Sequence, residues 1–185
     1  LIGSICRSQG YVEEMRDDRC LISDSEVERI IRAPKYVGVK VDLDELKNQM
    51  ALSEDGRQFE KNVKLDCEGY DCQMRIRQSV DRPTNFSVIL VCKDYNRNDQ
   101  VILRLNGNHG RHKNRIEKNV VDGPHIHRMT ERYQVRTTHS DGYAEATSEY
   151  MDLDGAIRVF IDMVNINRIG IESNRKLGEC DDSDA

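Results

Sequence analysis

The chain has no tryptophan, and aromatic residues fill only 5% of its 185 positions. Its apolar fraction, 37%, falls below the ~45–50% of an ordinary globular domain. A modest core and long solvated segments are expected. No run approaches the ~20 apolar residues of a membrane-spanning helix. The opening LIGSICRSQGY has too short an apolar region for a secretory leader, so no membrane association and a cytoplasmic setting are expected. None of the six cysteines forms a CxxC pair, which in such a chain reads as reduced thiols. There is no GxxxxGK[ST] phosphate loop, no GxSxG elbow and no HExxH, which removes three familiar hydrolase chemistries.

What is present is unevenly placed. The net charge is -5, which makes the whole chain a poor general binder of nucleic acid. Residues 101–136, however, carry eight basic and three acidic side chains, and residues 137–185 carry four basic and eleven acidic. The central stretch can meet phosphates, while the acidic stretch can meet a protein partner or the basic stretch itself.

Periodicity points to an α+β fold. Ser23 and Glu26 have capping-box spacing, with Ile22 placed to staple onto Val27. Val27, Ile30 and Ile31 form an apolar stripe that Pro34 ends. A short second helix is expected after Asp42. From Phe59 to Cys67, and again from Cys72 to Arg77, apolar and polar residues alternate, which predicts a hairpin with a four-residue loop and Cys67 opposite Cys72. Phe86–Lys93 is apolar on both faces and reads as a central strand. Val101, Leu103 and Leu105 point inward on a fourth strand, with Arg104 and Asn106 outward. Pro124–Met129 reads as a fifth strand with Ile126 inward. Residues 137–149 read as a polar connection. A last helix is capped by Asp152 and carries Leu153, Ala156, Ile157, Phe160, Ile161 and Val164 at helical spacing. The expected architecture is an antiparallel sheet of four to five strands, with N- and C-terminal helices packed on one face. Residues 1–22 are expected to be a flexible arm, 23–170 a single domain and 171–185 an acidic disordered tail.

Four of the five histidines fall between Val101 and Gln134. His125 and His127, two apart on a strand, share a face. Side by side they can hold a metal, with His109, His112 or the Glu117 carboxylate completing the ligands. They can also act without metal as acid and base on a phosphate. The plain alternative is that they hydrogen-bond to neighbours on a sheet face. Arg128 and Arg132 are suited to hold a phosphate, and Tyr133 can stack on a base.

Asn106-Gly107, His112, Asn114, His125-x-His127-x-x-Thr130-x-Arg132-Tyr133-Gln134, Asp141-Gly142-Tyr143-Ala144 and Tyr150-x-x-Leu153-x-x-Ala156 together resemble a bacterial domain of unknown function found also in mobile-element gene sets. The resemblance runs over about residues 23–166 and is most specific in 106–156. It implies a single domain in a cytoplasmic setting and carries no activity. The expectation is a small protein of toxin or defence type acting on RNA or a nucleotide through residues 101–136. His125 and His127 would be acid and base. His112, Asn114, Arg128, Thr130, Arg132 and Tyr133 would be substrate contacts, with no metal and no cofactor. The alternative is a non-catalytic acidic protein from a phage or mobile element, whose residues 137–185 block a partner's nucleic-acid site.

Overall fold

The computed structural model describes residues 21–37, 43–94 and 96–167, the first three of the second span by backbone alone. The elements are α1 (Asp24–Arg32), β1 (Lys35–Tyr36), α2 (Leu43–Asn48), β2 (Ala51–Leu52), β3 (Gln58–Cys67), β4 (Tyr70–Ser79), β5 (Phe86–Lys93) and β6 (Asp99–Asn106). They continue with β7 (His112–Lys113), β8 (Val120–Val121), β9 (His125–Arg128), α3 (Glu131–Arg136), β10 (Tyr143–Ala146), α4 (Leu153–Met163) and β11 (Ile166–Asn167). Nearly all of the expected arm 1–22, and all of the expected tail 171–185, lie outside the described residues.

The fold is α+β, as the periodicity implies, but among the described residues its main sheet has nine strands instead of four or five. Its order is β10-β9-β6-β5-β4-β3-β1-β11, with β2 also on β3. The additional strands are β1, β2, β10 and β11, each two to four residues long and too short to show alternation. The meander β3–β6 is antiparallel and long, and its register builds continuous rows across the sheet. One row runs Val63, Met74, Leu90, Leu103 and Arg128; the next runs Lys61, Ile76, Val88, Leu105 and Ile126. These rows form the face on which both helices pack, α1 through Val27, Ile30 and Ile31 and α4 through Ala156, Ile157, Phe160 and Ile161. Both expected caps are made. Ser23 Oγ accepts from the Glu26 amide at 3.2 Å, and the Asp152 carboxylate accepts from the Gly155 amide at 2.8 Å.

The β3–β4 hairpin corrects one detail of register. Its turn is the two residues Glu68 and Gly69, with Gly69 at φ 81°, the left-handed geometry a tight hairpin demands. Cys67 therefore faces Tyr70, and Cys72 faces Leu65. On its other side Cys72 lies in register with Cys92 of β5, and the two form a disulfide. The expectation of reduced thiols fails at this pair.

Lys35 ties the ends of the domain together. It is fully buried, and its ammonium donates to the carbonyls of Ile30 (2.6 Å), Ala33 (2.8 Å), Val164 (3.0 Å) and Ile31 (3.1 Å). It thus satisfies orphan acceptors at the C-terminal ends of both α1 and α4. Beside it, β1 and β11 pair in parallel.

Candidate functional site

The opposite face of the sheet carries the polar row. Arg104, His127 and Ala144 are cross-strand neighbours, as are Ser87, Asn106, His125 and Ala146. Alternation along β6 and β9 puts arginine, asparagine and two histidines side by side, and the small alanines of β10 leave room beside them. The segment 107–121, between the expected fourth and fifth strands, folds back as a small β7–β8 hairpin and covers this face. Asn114 fastens it. Fully buried, its side chain donates to the Ala144 carbonyl and accepts from the Ala144 amide, each at 2.8 Å.

His125 and His127 do point away from the helix-covered core, but they are not surface residues: 0% and 2% exposed, respectively, under the hairpin. The covering segment brings His112 and His109 onto them. Ring centroids lie 4.5 Å apart for His112–His127, 4.9 Å for His125–His127, 4.9 Å for His109–His125 and 5.7 Å for His112–His125. Three of the rings are held by backbone carbonyls. His125 Nδ1 bonds the Gly123 carbonyl at 2.7 Å, His127 Nδ1 that of Asp141 at 2.8 Å, and His112 Nε2 that of Gly142 at 2.9 Å. A carbonyl only accepts, so each of these ring nitrogens carries its proton. The consecutive Asp141 and Gly142 carbonyls thus set two of the three tautomers. Gly142 is required there, because a Cβ would stand 2.6 Å from the Tyr133 ring.

Burial pushes the His127 imidazole down to about 2, with Arg104 adding in the same direction. Burial also lowers His125 and His109. In each case the neutral ring is favoured over the imidazolium. The rings offer lone pairs.

A cleft of about 670 Å³ opens over the cluster, lined among others by Arg104, Arg111, Lys113, Arg115, His112 and His127. Arg104 pairs with Asp141 at 2.5 Å, yet its buried Nε has no acceptor. Among the described residues, no carboxylate pairs with Arg111, Lys113 or Arg115.

The other expected site residues are dispersed. Arg128 lies one residue from His127 and so on the helix-covered face, where it pairs with Glu28 of α1 at 2.7 Å. Thr130 is at the start of α3, its hydroxyl buried without a partner. Arg132 binds Glu117 at 2.6 Å and stacks over the Tyr143 ring at 4.8 Å. Tyr133 is buried beside the cleft and donates to Glu117 at 2.6 Å, which leaves Glu117 occupied away from the histidines. Asn114 spends its amide on the fastening contact. Arg104 and Asn106 were legible as outward residues of β6, but their contact with the histidines depends on the β6–β9 register.

The fold and site define a class: a single-sheet α+β protein with a buried histidine cluster under a basic covering hairpin. Residues 22–169 match the model of DUF6978, a family of unknown function, and the chain belongs to that family. No curated protein and no solved structure shows significant similarity to it. No described helix is long and apolar enough to cross a membrane.

Proposed function

We propose that the cleft binds a phosphate-bearing ligand, an RNA or a nucleotide, over the histidine cluster. The observation that carries this reading is the set of basic side chains, Arg111, Lys113 and Arg115, gathered at one cleft without carboxylate partners among the described residues. Arg104 adds a buried N–H in want of an acceptor. An anion with several oxygens meets both needs. The histidines enter as neutral rings at the cleft floor, able to accept a hydrogen bond or hold a cation. Arg128 has no part in it. Among the described residues the reading as an acidic blocker gains no such support: Asp141 pairs with Arg104, Asp152 caps α4 and Asp154 pairs with Lys47.

The test is fluorescence anisotropy with a labelled single-stranded RNA, and in parallel with a nucleoside triphosphate. The Arg111→Ser, Arg115→Ser double variant should bind at least ~10-fold more weakly. Its log K against log salt should be shallower by about 0.7 for each phosphate that the protein no longer neutralises. Unchanged affinity and slope would remove the cleft as the binding site.

A further inference from the structure

We infer that His112, His125 and His127 form a binding site for one divalent first-row transition ion of the zinc class, with an open coordination position toward the basic cleft. One ring nitrogen from each of the three lies within 4.8 Å of the others. The carbonyl partners decide which nitrogen of each ring keeps a lone pair. With Nδ1 of His125, Nδ1 of His127 and Nε2 of His112 each donating to a carbonyl, the lone pairs sit on Nε2, Nε2 and Nδ1. Ligating histidines usually have their other ring nitrogen held in this way.

Lone pairs brought together in a buried space repel one another. A protein donor or a cation must answer them. The donor on hand is the Asn106 amide, at 3.4 Å from His125 Nε2, a long contact that answers one ring of three. Cationic guanidinium is present as Arg104, but it is turned to Asp141. A tetrahedral zinc with nitrogens at ~2.0–2.1 Å would hold them about 3.3 Å apart, so the rings close on the ion by an ångström or so. His112 makes that movement, since it is half-buried on the hairpin, while His125 and His127 are fixed on β9. Among the described residues no carboxylate joins the group. Three imidazoles and an open fourth position are the donor set of a catalytic zinc, not of a closed structural one. This inference stands without the phosphate reading, although the open position faces the same cleft.

The full chain, stripped with a chelator and dialysed, is titrated with Zn²⁺ in competition with a chromophoric chelator, and separately with Co²⁺ while the visible spectrum is followed. One ion per chain should bind, and Co²⁺ should give the intense d–d bands of a four-coordinate site. His112→Ala, which leaves β9 untouched, should weaken binding by ~100-fold or more. His139→Ala, which removes the one histidine outside the cluster, should leave it unchanged. Absence of saturable binding by the wild type, a six-coordinate Co²⁺ spectrum, or equal affinity in the two variants would overturn the inference. RNA binding is measured with the chelator present, so loss of the metal site and loss of the phosphate site are read independently.

Discussion

Replacing Asn114 with alanine removes one acceptor and one donor from the backbone of Ala144, in a place water does not reach. Each buried hydrogen bond contributes ~0.5–1.5 kcal/mol net, and each backbone group left unpaired costs ~1–3 kcal/mol. If the hairpin stayed shut, both penalties would be felt in full, about 2–6 kcal/mol. The hairpin can instead lift and let water in, which caps the loss at the net worth of the two bonds, about 1–3 kcal/mol. Asn114→Ala should therefore lower stability by that amount, read from the urea midpoint by far-ultraviolet circular dichroism. The lifted hairpin should be visible directly. Arg111, Lys113, Arg115 and Lys118 make it a trypsin target, and cleavage there should outpace cleavage elsewhere. Asn114→Asp retains the acceptor for the Ala144 amide but loses the donor and buries a charge, so it should be no better than alanine. A loss under ~0.5 kcal/mol, with no new cleavage between 107 and 121, would refute the idea that this side chain fastens the segment.

Two further outcomes follow from the core. Phe160 is fully buried where α4 meets the sheet, so Phe160→Ala should cost ~3–5 kcal/mol by equilibrium unfolding; under ~1 kcal/mol would mean the helix is peripheral. Burial holds Lys35 down to about 8 from its ordinary 10.5. Between those values the unfolded chain keeps a proton that the folded chain has shed, so this residue's contribution rises with pH there and is lost as pH falls through about 8. The wild type should gain on Lys35→Met by up to about 1.4 kcal/mol per pH unit from pH 8 to 10. The comparison cancels the tyrosines whose raised values act oppositely, and a flat difference would refute it.

Helices α1 and α4 were legible because caps are local: Ser23 and Asp152 each bond an amide three residues on, whereas α3, whose Thr130 makes no such bond, was not. The meander was legible because β3–β6 are long enough to alternate, although the hairpin turn is two residues tighter than that alternation implies. The strands β1 and β11 get each other as partners from far along the chain, and they and β10 are too short to carry a period of their own. In the site, the pairing of His125 with His127 was plain from their spacing. The same alternation sets Arg128 on the other face, so its separation from the histidines was legible too. The burial of the histidines was not, because it depends on Asn114 meeting Ala144 across 30 residues and on two carbonyls of a turn that reads as mere connection.

The meeting of β1 with β11 bears on the order in which the protein can be made. Within residues 58–106 each strand pairs with the next along the chain, so that meander can organise while the rest of the chain is still being synthesised. Lys35 is made early, yet its Val164 acceptor and its parallel neighbour Ile166 come more than a hundred residues later. Until residue 166 leaves the ribosome, the first helix carries an ammonium with no roof over it and one flank of the sheet stands open. At ~5–20 residues per second, that exposure lasts several seconds to half a minute, during which β1 lacks its parallel neighbour.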